Sequence, residues 1–186
     1  MAGYPHTCVL RVWTALFLVL CLSGPAYAVD SVHVAIGDGE EHLPGNTPGR
    51  MAQIALRWDW DKRWQATETW WADGFWEGEL SHFEDGTQNL QAAGLAAVLR
   101  LGSAGKRPVH PYMEAGFGLQ LITSTHFGPT ELSTDFQFGS HLGFGLRLGT
   151  EARHELGYRL WHLSNAGLKN PNPGLNFHVL YFGIRF

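Results

Sequence analysis

The sequence predicts an all-β protein: an eight-stranded antiparallel transmembrane β-barrel of the bacterial outer membrane. Three observations carry that expectation. The first 28 residues have the layout of a secretory leader. Several later stretches alternate apolar and polar residues over 10 or more positions, and the chain ends on an alternating run whose last residue is Phe186.

The leader has a short n-region ending at Arg11, an apolar core "VWTALFLVLCL", then Gly24 and Pro25, with small residues at Ala26 and Ala28. That pattern places cleavage after Ala28 and divides the chain into a signal peptide, 1–28, and a barrel, 29–186. About a dozen apolar residues are too few for a membrane-spanning helix, which needs roughly 20. A lipoprotein site at Cys21 would want a small residue before it, and Leu20 stands there. Cys8 and Cys21 both leave with the leader, so the mature chain can build neither a disulfide nor a thiolate metal site nor a cysteine nucleophile. The formal net charge is −4 and no Lys/Arg cluster suggests nucleic acid.

A transmembrane strand takes roughly 9–11 residues, apolar toward lipid and polar or small toward the lumen. In 51–60, Ala52, Ile54, Leu56, Trp58 and Trp60 share one face and Gln53, Arg57 and Asp59 the other. In 112–121, Met113, Ala115, Phe117, Leu119 and Leu121 oppose Tyr112, Glu114, Gly116, Gly118 and Gln120. In 136–148, Phe136, Phe138, Leu142, Phe144, Leu146 and Leu148 oppose Gln137, Gly139, His141, Gly143, Gly145 and Arg147. A helix would show a period of 3.6 instead. Weaker strands fall at 31–37, 69–80, 89–101, 154–164 and 175–186, which makes eight; the Ala- and Leu-rich 89–101 suits a helix as well. The last strand, "HVLYFGIRF", sets His178, Leu180, Phe182, Ile184 and Phe186 on one face, and its terminal aromatic resembles the way outer-membrane barrels end. Eight strands form the smallest such barrel, and closure removes the edges that lipid cannot solvate.

With both ends of the barrel on the periplasmic side, the connections at 38–50, 81–88, 124–134 and 165–174 face outward; those at 61–68, 102–109 and 149–153 are periplasmic turns. The lumen then holds Arg57, Asp59, Glu77, Glu114, Arg147, Glu155, Arg159 and Arg185, an ion-pair network that fills it and disfavours a pore. Trp58, Trp60, Trp64, Trp70, Trp71 and Trp76 fit aromatic girdles at the membrane interfaces. No histidine spacing argues for a metal, and no cofactor is called for.

One stretch departs from this pattern, "WHLSNAGLKNPNPGLN" at 161–176. Alternation places His162 and Ser164 on the lipid-facing side of one strand and Asn176 on the lipid-facing side of the next. His and Ser two residues apart lie roughly 6.5–7 Å apart at the backbone, a gap the imidazole can cover. A base beside a hydroxyl, with a third polar group behind the base, is how a serine is activated. Polar residues at a barrel rim cost only about 0–1 kcal/mol, so a solvated rim explains the same residues. A nucleophile facing lipid, however, can attack only lipid.

The stretch "HLSNAGLKNPNPGLN" resembles the motif of the PagL-type lipid A 3-O-deacylases, outer-membrane esterases built as eight-stranded barrels. "LRWDWDKRW" at 56–64, "PYMEAGFG" at 111–118 and "GFGLRL" at 143–148 extend the resemblance over most of the mature chain. It implies a serine hydrolase that removes the ester-linked 3-hydroxyacyl chain at the 3 position of lipid A, with lipopolysaccharide and outer-membrane lipids as its partners and the question of a homodimer open. By position, Ser164 matches the nucleophile, His162 the base, and Asn165 and Asn172 asparagines associated with the oxyanion. The family's acid, a glutamate, falls on Asn176. An amide can orient the imidazole but brings no negative charge; in trypsin-type triads the Asp-to-Asn change costs about 10⁴ in turnover. A non-catalytic barrel, structural, adhesive or a pseudoenzyme, is therefore the competing expectation.

Overall fold

The computed structural model describes residues 28–40, 49–103 and 107–186. The leader expected over 1–28 lies, apart from Ala28, outside them. Eight long strands form: β1 (Ser31–Gly39), β2 (Arg50–Asp59), β3 (Trp70–Glu84), β4 (Asn89–Ser103), β5 (Val109–Ile122), β6 (Phe136–Leu148), β7 (His154–Ser164) and β8 (Leu175–Arg185). Each pairs antiparallel with its neighbour in the chain. β1 also pairs with β8, Ser31 opposite Arg185 and Gly39 opposite Phe177, so the sheet closes into the expected barrel. Closure matters because no water is present in the hydrocarbon region to satisfy an open edge.

The alternation decides which side chains meet lipid. Val34, Ile36, Ile54, Leu80, Leu95, Leu99, Phe117, Leu142, Phe144, Leu156, Leu180 and Phe182 all stand exposed on the outer wall. The Ala- and Leu-rich segment is strand β4 rather than a helix. Leu95, Leu99 and Leu101 point out, while Ala92, Ala96, Val98 and Arg100 are buried inside. β3 runs on to Glu84, past the expected end at 80, so the outer connection there shrinks to residues 85–88. Asp85 makes the tight turn possible: its Oδ1 accepts from the backbone N–H groups of Thr87 and Gln88 and from the Thr87 hydroxyl. Those donors, Gln88 foremost, hold its carboxyl below the usual carboxylate range.

The lumen is filled in two layers. One is ionic. Glu77 accepts from Arg57 at 2.5 Å and Arg159 at 2.7 Å, and Glu114 from Arg159 at 2.6 Å and Arg100 at 3.1 Å. Glu155 accepts from Arg57, Arg100 and Arg147 at 2.9–3.0 Å. Asp59 and Arg185, also expected inside, pair with each other where they are only partly buried. The second layer, next to the outer loops, is apolar: Met51, Phe83, Leu90, Ile122, Trp161, Leu163, Leu175 and Phe177 form a plug. Phe83 lies 5.2 Å from Phe177 and 5.7 Å from Trp161, centroid to centroid. Trp71 departs from the girdle expectation. It is buried in the lumen, its Nε1 donating to Ser103 O, with Arg147 over its ring.

Candidate active site

The plug supports the outer ends of β7 and β8, and these carry the polar residues at 161–176. On β7 the inward set is Glu155, Arg159, Trp161 and Leu163, all buried, which turns His162 and Ser164 outward. On β8 the inward set is Leu175, Phe177, Val179 and Tyr181, which turns Asn176 and His178 outward. His162 is directly opposite Asn176 in the β7–β8 register. All three proposed site residues are half-buried on the lipid-facing wall.

Their side chains are joined in one row. Ser164 Oγ lies 2.9 Å from His162 Nε2, and His162 Nδ1 lies 2.7 Å from Asn176 Oδ1. An amide oxygen can only accept, so His162 Nδ1 carries the proton and donates it to Asn176. Nε2 is then the free acceptor for the Ser164 hydroxyl. That tautomer is the one a general base requires.

Gly174 shapes the row. Its φ is +74°, and a Cβ there would sit 2.6 Å from His162 Cε1 and 2.9 Å from Leu163 O. Only glycine allows the loop to re-enter β8 with the imidazole in place.

Asn165 and Asn172 are held differently from what their shared matching suggested. Alternation past Ser164 turns Asn165 inward, where it is wholly buried. Its Nδ2 donates to Leu132 O at 3.0 Å and Lys169 O at 2.8 Å, and its Oδ1 accepts from Gly167 N at 2.9 Å. Both amide hydrogens are thus committed to the loop, and none is presented to an oxyanion at Ser164. Asn172 Oδ1 accepts from Asn165 N at 2.9 Å, which holds the amide beside the residue after Ser164. Among the described residues no acceptor takes the Asn172 Nδ2 hydrogens. Ser133 Oγ donates to Pro171 O at 2.8 Å and braces the same loop from the 123–135 connection. Sequence reasoning passed over Gly174 and Ser133; the positive-φ demand on Gly174 is visible only once the chain reversal is placed.

For metal binding, one group among the described residues brings three ligand atoms together: Glu77, Glu79 and His141, within 4.8 Å of one another inside the lumen. Glu77 is already neutralised by Arg57 and Arg159, and Glu79 accepts from Gln53 and Gln120. The group belongs to the packing network.

The comparisons with known proteins fit this wall. The family model for the lipid A 3-O-deacylases (PagL) matches residues 49–185. The lipid A deacylase PagL of Pseudomonas aeruginosa is 32% identical over 163 residues, 84% of this chain and 92% of that protein. The lipid A deacylase PagL of Bordetella bronchiseptica is 43% identical over 75 residues, 40% of this chain and 41% of its own. The crystal structure of the outer membrane enzyme PagL superposes with a TM-score of 0.74 at 30% identity, covering 84% of this chain and 99% of that one. The chain belongs to the lipid A 3-O-deacylase family, enzymes built as β-barrels in the bacterial outer membrane.

Proposed function

We propose that this barrel removes the ester-linked 3-hydroxyacyl chain from the 3 position of lipid A, with Ser164 as nucleophile and His162 as base, oriented by Asn176. The observation that carries the reading is the hydrogen-bonded row Ser164–His162–Asn176 on the wall that faces lipid. Residues 1–28 serve as the leader that directs the barrel 29–186 to the membrane.

Ser164 Oγ attacks the ester carbonyl carbon while its proton passes to His162 Nε2. The tetrahedral intermediate carries its negative charge on the former carbonyl oxygen. Asn172 supplies the side-chain donor to that oxygen through Nδ2, while Asn165 fixes the loop that holds Asn172. Collapse breaks the bond to the 3-position oxygen, which takes the proton from His162 and leaves as a hydroxyl. His162 then deprotonates a water as it attacks the acyl-Ser164 ester, the bond to Ser164 Oγ breaks with the proton passing from His162 back to Oγ, and the 3-hydroxy fatty acid departs. No metal or cofactor takes part in these steps.

The test is to refold the protein into bilayers with purified lipid A and follow the lipid by mass spectrometry, with Ser164→Ala in parallel. The wild type alone is expected to release one 3-hydroxyacyl chain. Unchanged lipid A in the wild type, or equal loss with Ser164→Ala, overturns the reading.

A further inference from the structure

The triad row contains no carboxylate, yet one stands immediately beside it. The β1–β8 register runs to Gly39 opposite Phe177, and Glu40 N continues it by donating to Asn176 O at 2.8 Å. Glu40 therefore faces Asn176 across the two strands. It shares the outward parity of Val34, Ile36 and Asp38 on β1. The row across the outer wall reads Ser140, His162, Asn176, Glu40, one residue from each of β6, β7, β8 and the end of β1. Directly opposed residues have Cβ atoms about 4.5–5.5 Å apart, so the carboxylate is one side chain removed from the base.

Glu40 is also held in place. Its Oε2 accepts from His178 Nε2, and His178 Nδ1 is hydrogen-bonded to the Tyr158 hydroxyl. Its side chain is only 11% exposed, against 84% for Asp38 two residues earlier on the same face. Two hydroxyl–imidazole sets thus interlock on β7 and β8: Ser164–His162 backed by Asn176, and Tyr158–His178 backed by Glu40. Of the two, the second alone has the acid.

We infer that Glu40 is the acid of this site, a positioning residue one strand away from Asn176 that supplies, across Asn176, the negative charge that stabilises the His162 imidazolium during acyl transfer. Asn176 orients the imidazole and Glu40 provides the field. His162 itself contacts Ser164 and Asn176, and the titratable groups next to that row on the same wall are Tyr158 on its own strand, His178 on β8 and Glu40 past β1. β6 contributes the neutral Ser140. Glu40 is the one carboxylate among these described residues, two strand spacings from His162, roughly 9–10 Å at the backbone, where an unscreened charge still acts.

The inference rests on the deacylase reading, and the test separates the two. Deacylation kinetics are measured for the wild type, Ser164→Ala, Glu40→Gln, Glu40→Asp and the double variant Glu40→Gln/Asn176→Glu. Glu40→Gln is expected to lower kcat roughly tenfold or more with KM within about twofold, since the charge acts only once the imidazolium forms. Glu40→Asp keeps the charge and most of the rate. The double variant returns kcat to within about threefold of wild type, because the acid now sits directly on the imidazole. A wild-type kcat in Glu40→Gln overturns the inference and leaves the deacylase intact. So does a loss that Asn176→Glu fails to restore, since Glu40 would then serve only the fold or substrate binding. A wild type that cleaves nothing overturns both. Should Glu40→Gln fail to insert, His178→Asn is read in its place. A several-fold lower kcat is expected there, and an undiminished one contradicts the inference.

Discussion

Ser164 and Asn176 both meet His162 because alternation points all three the same way and the β7–β8 register sets His162 against Asn176. That part of the site was legible in the sequence, since parity needs only residue spacing. Asn165 was matched to the oxyanion in the sequence, whereas the same alternation, carried one residue further, sends its side chain inward. What spacing could not show is the close approach of Gly174 to the imidazole. A Cβ at 2.6 Å from His162 Cε1 must push the ring or the loop aside. Gly174→Ala is therefore expected to cut kcat about 10²-fold, the usual cost of misplacing a catalytic group by about 1 Å, with the barrel still folded by circular dichroism. Undiminished turnover would mean that the ring is not positioned by this contact.

At the scale of elements, the decisive piece is the 165–174 loop. Asn165 takes three side-chain hydrogen bonds at 2.8–3.0 Å at its base, and Asn172 closes the loop back onto Asn165 N. The two asparagines should therefore separate experimentally. Asn172→Ala removes the proposed oxyanion donor and is expected to lower kcat by about 10²–10³, with a smaller stability loss from its one bond to Asn165 N. Asn165→Ala removes the buried amide that donates to Leu132 O and Lys169 O and accepts from Gly167 N, and is expected to cost about 1–3 kcal/mol in urea unfolding. Equal stability losses for both would assign Asn172 to the loop rather than the reaction. Among the strands, β4 was the hardest to read. Alanines at inward positions look like helix formers, and only the outward leucines 95, 99 and 101 show which period holds.

The whole molecule is a closed barrel, its lower lumen occupied among the described residues by four arginines around Glu77, Glu114 and Glu155. Most of that network followed from lumen parity. Arg100 was missed because its strand was ambiguous, and the apolar plug of Phe83, Trp161 and Phe177 was missed because alternation gives a side chain's face but not what it meets across the lumen. Removing one buried partner leaves the others uncompensated, so Glu155→Gln is expected to destabilise the barrel by about 3–5 kcal/mol, measured by urea unfolding followed by tryptophan fluorescence. This filled core backs the outer wall on which Ser164 stands. The most direct measurement is intact-mass analysis of the bilayer-embedded protein after exposure to a lipid-soluble fluorophosphonate. One adduct, located on Ser164 and abolished by His162→Ala, is the predicted result. An unmodified wild-type chain would contradict the claim that this lipid-facing serine is a nucleophile.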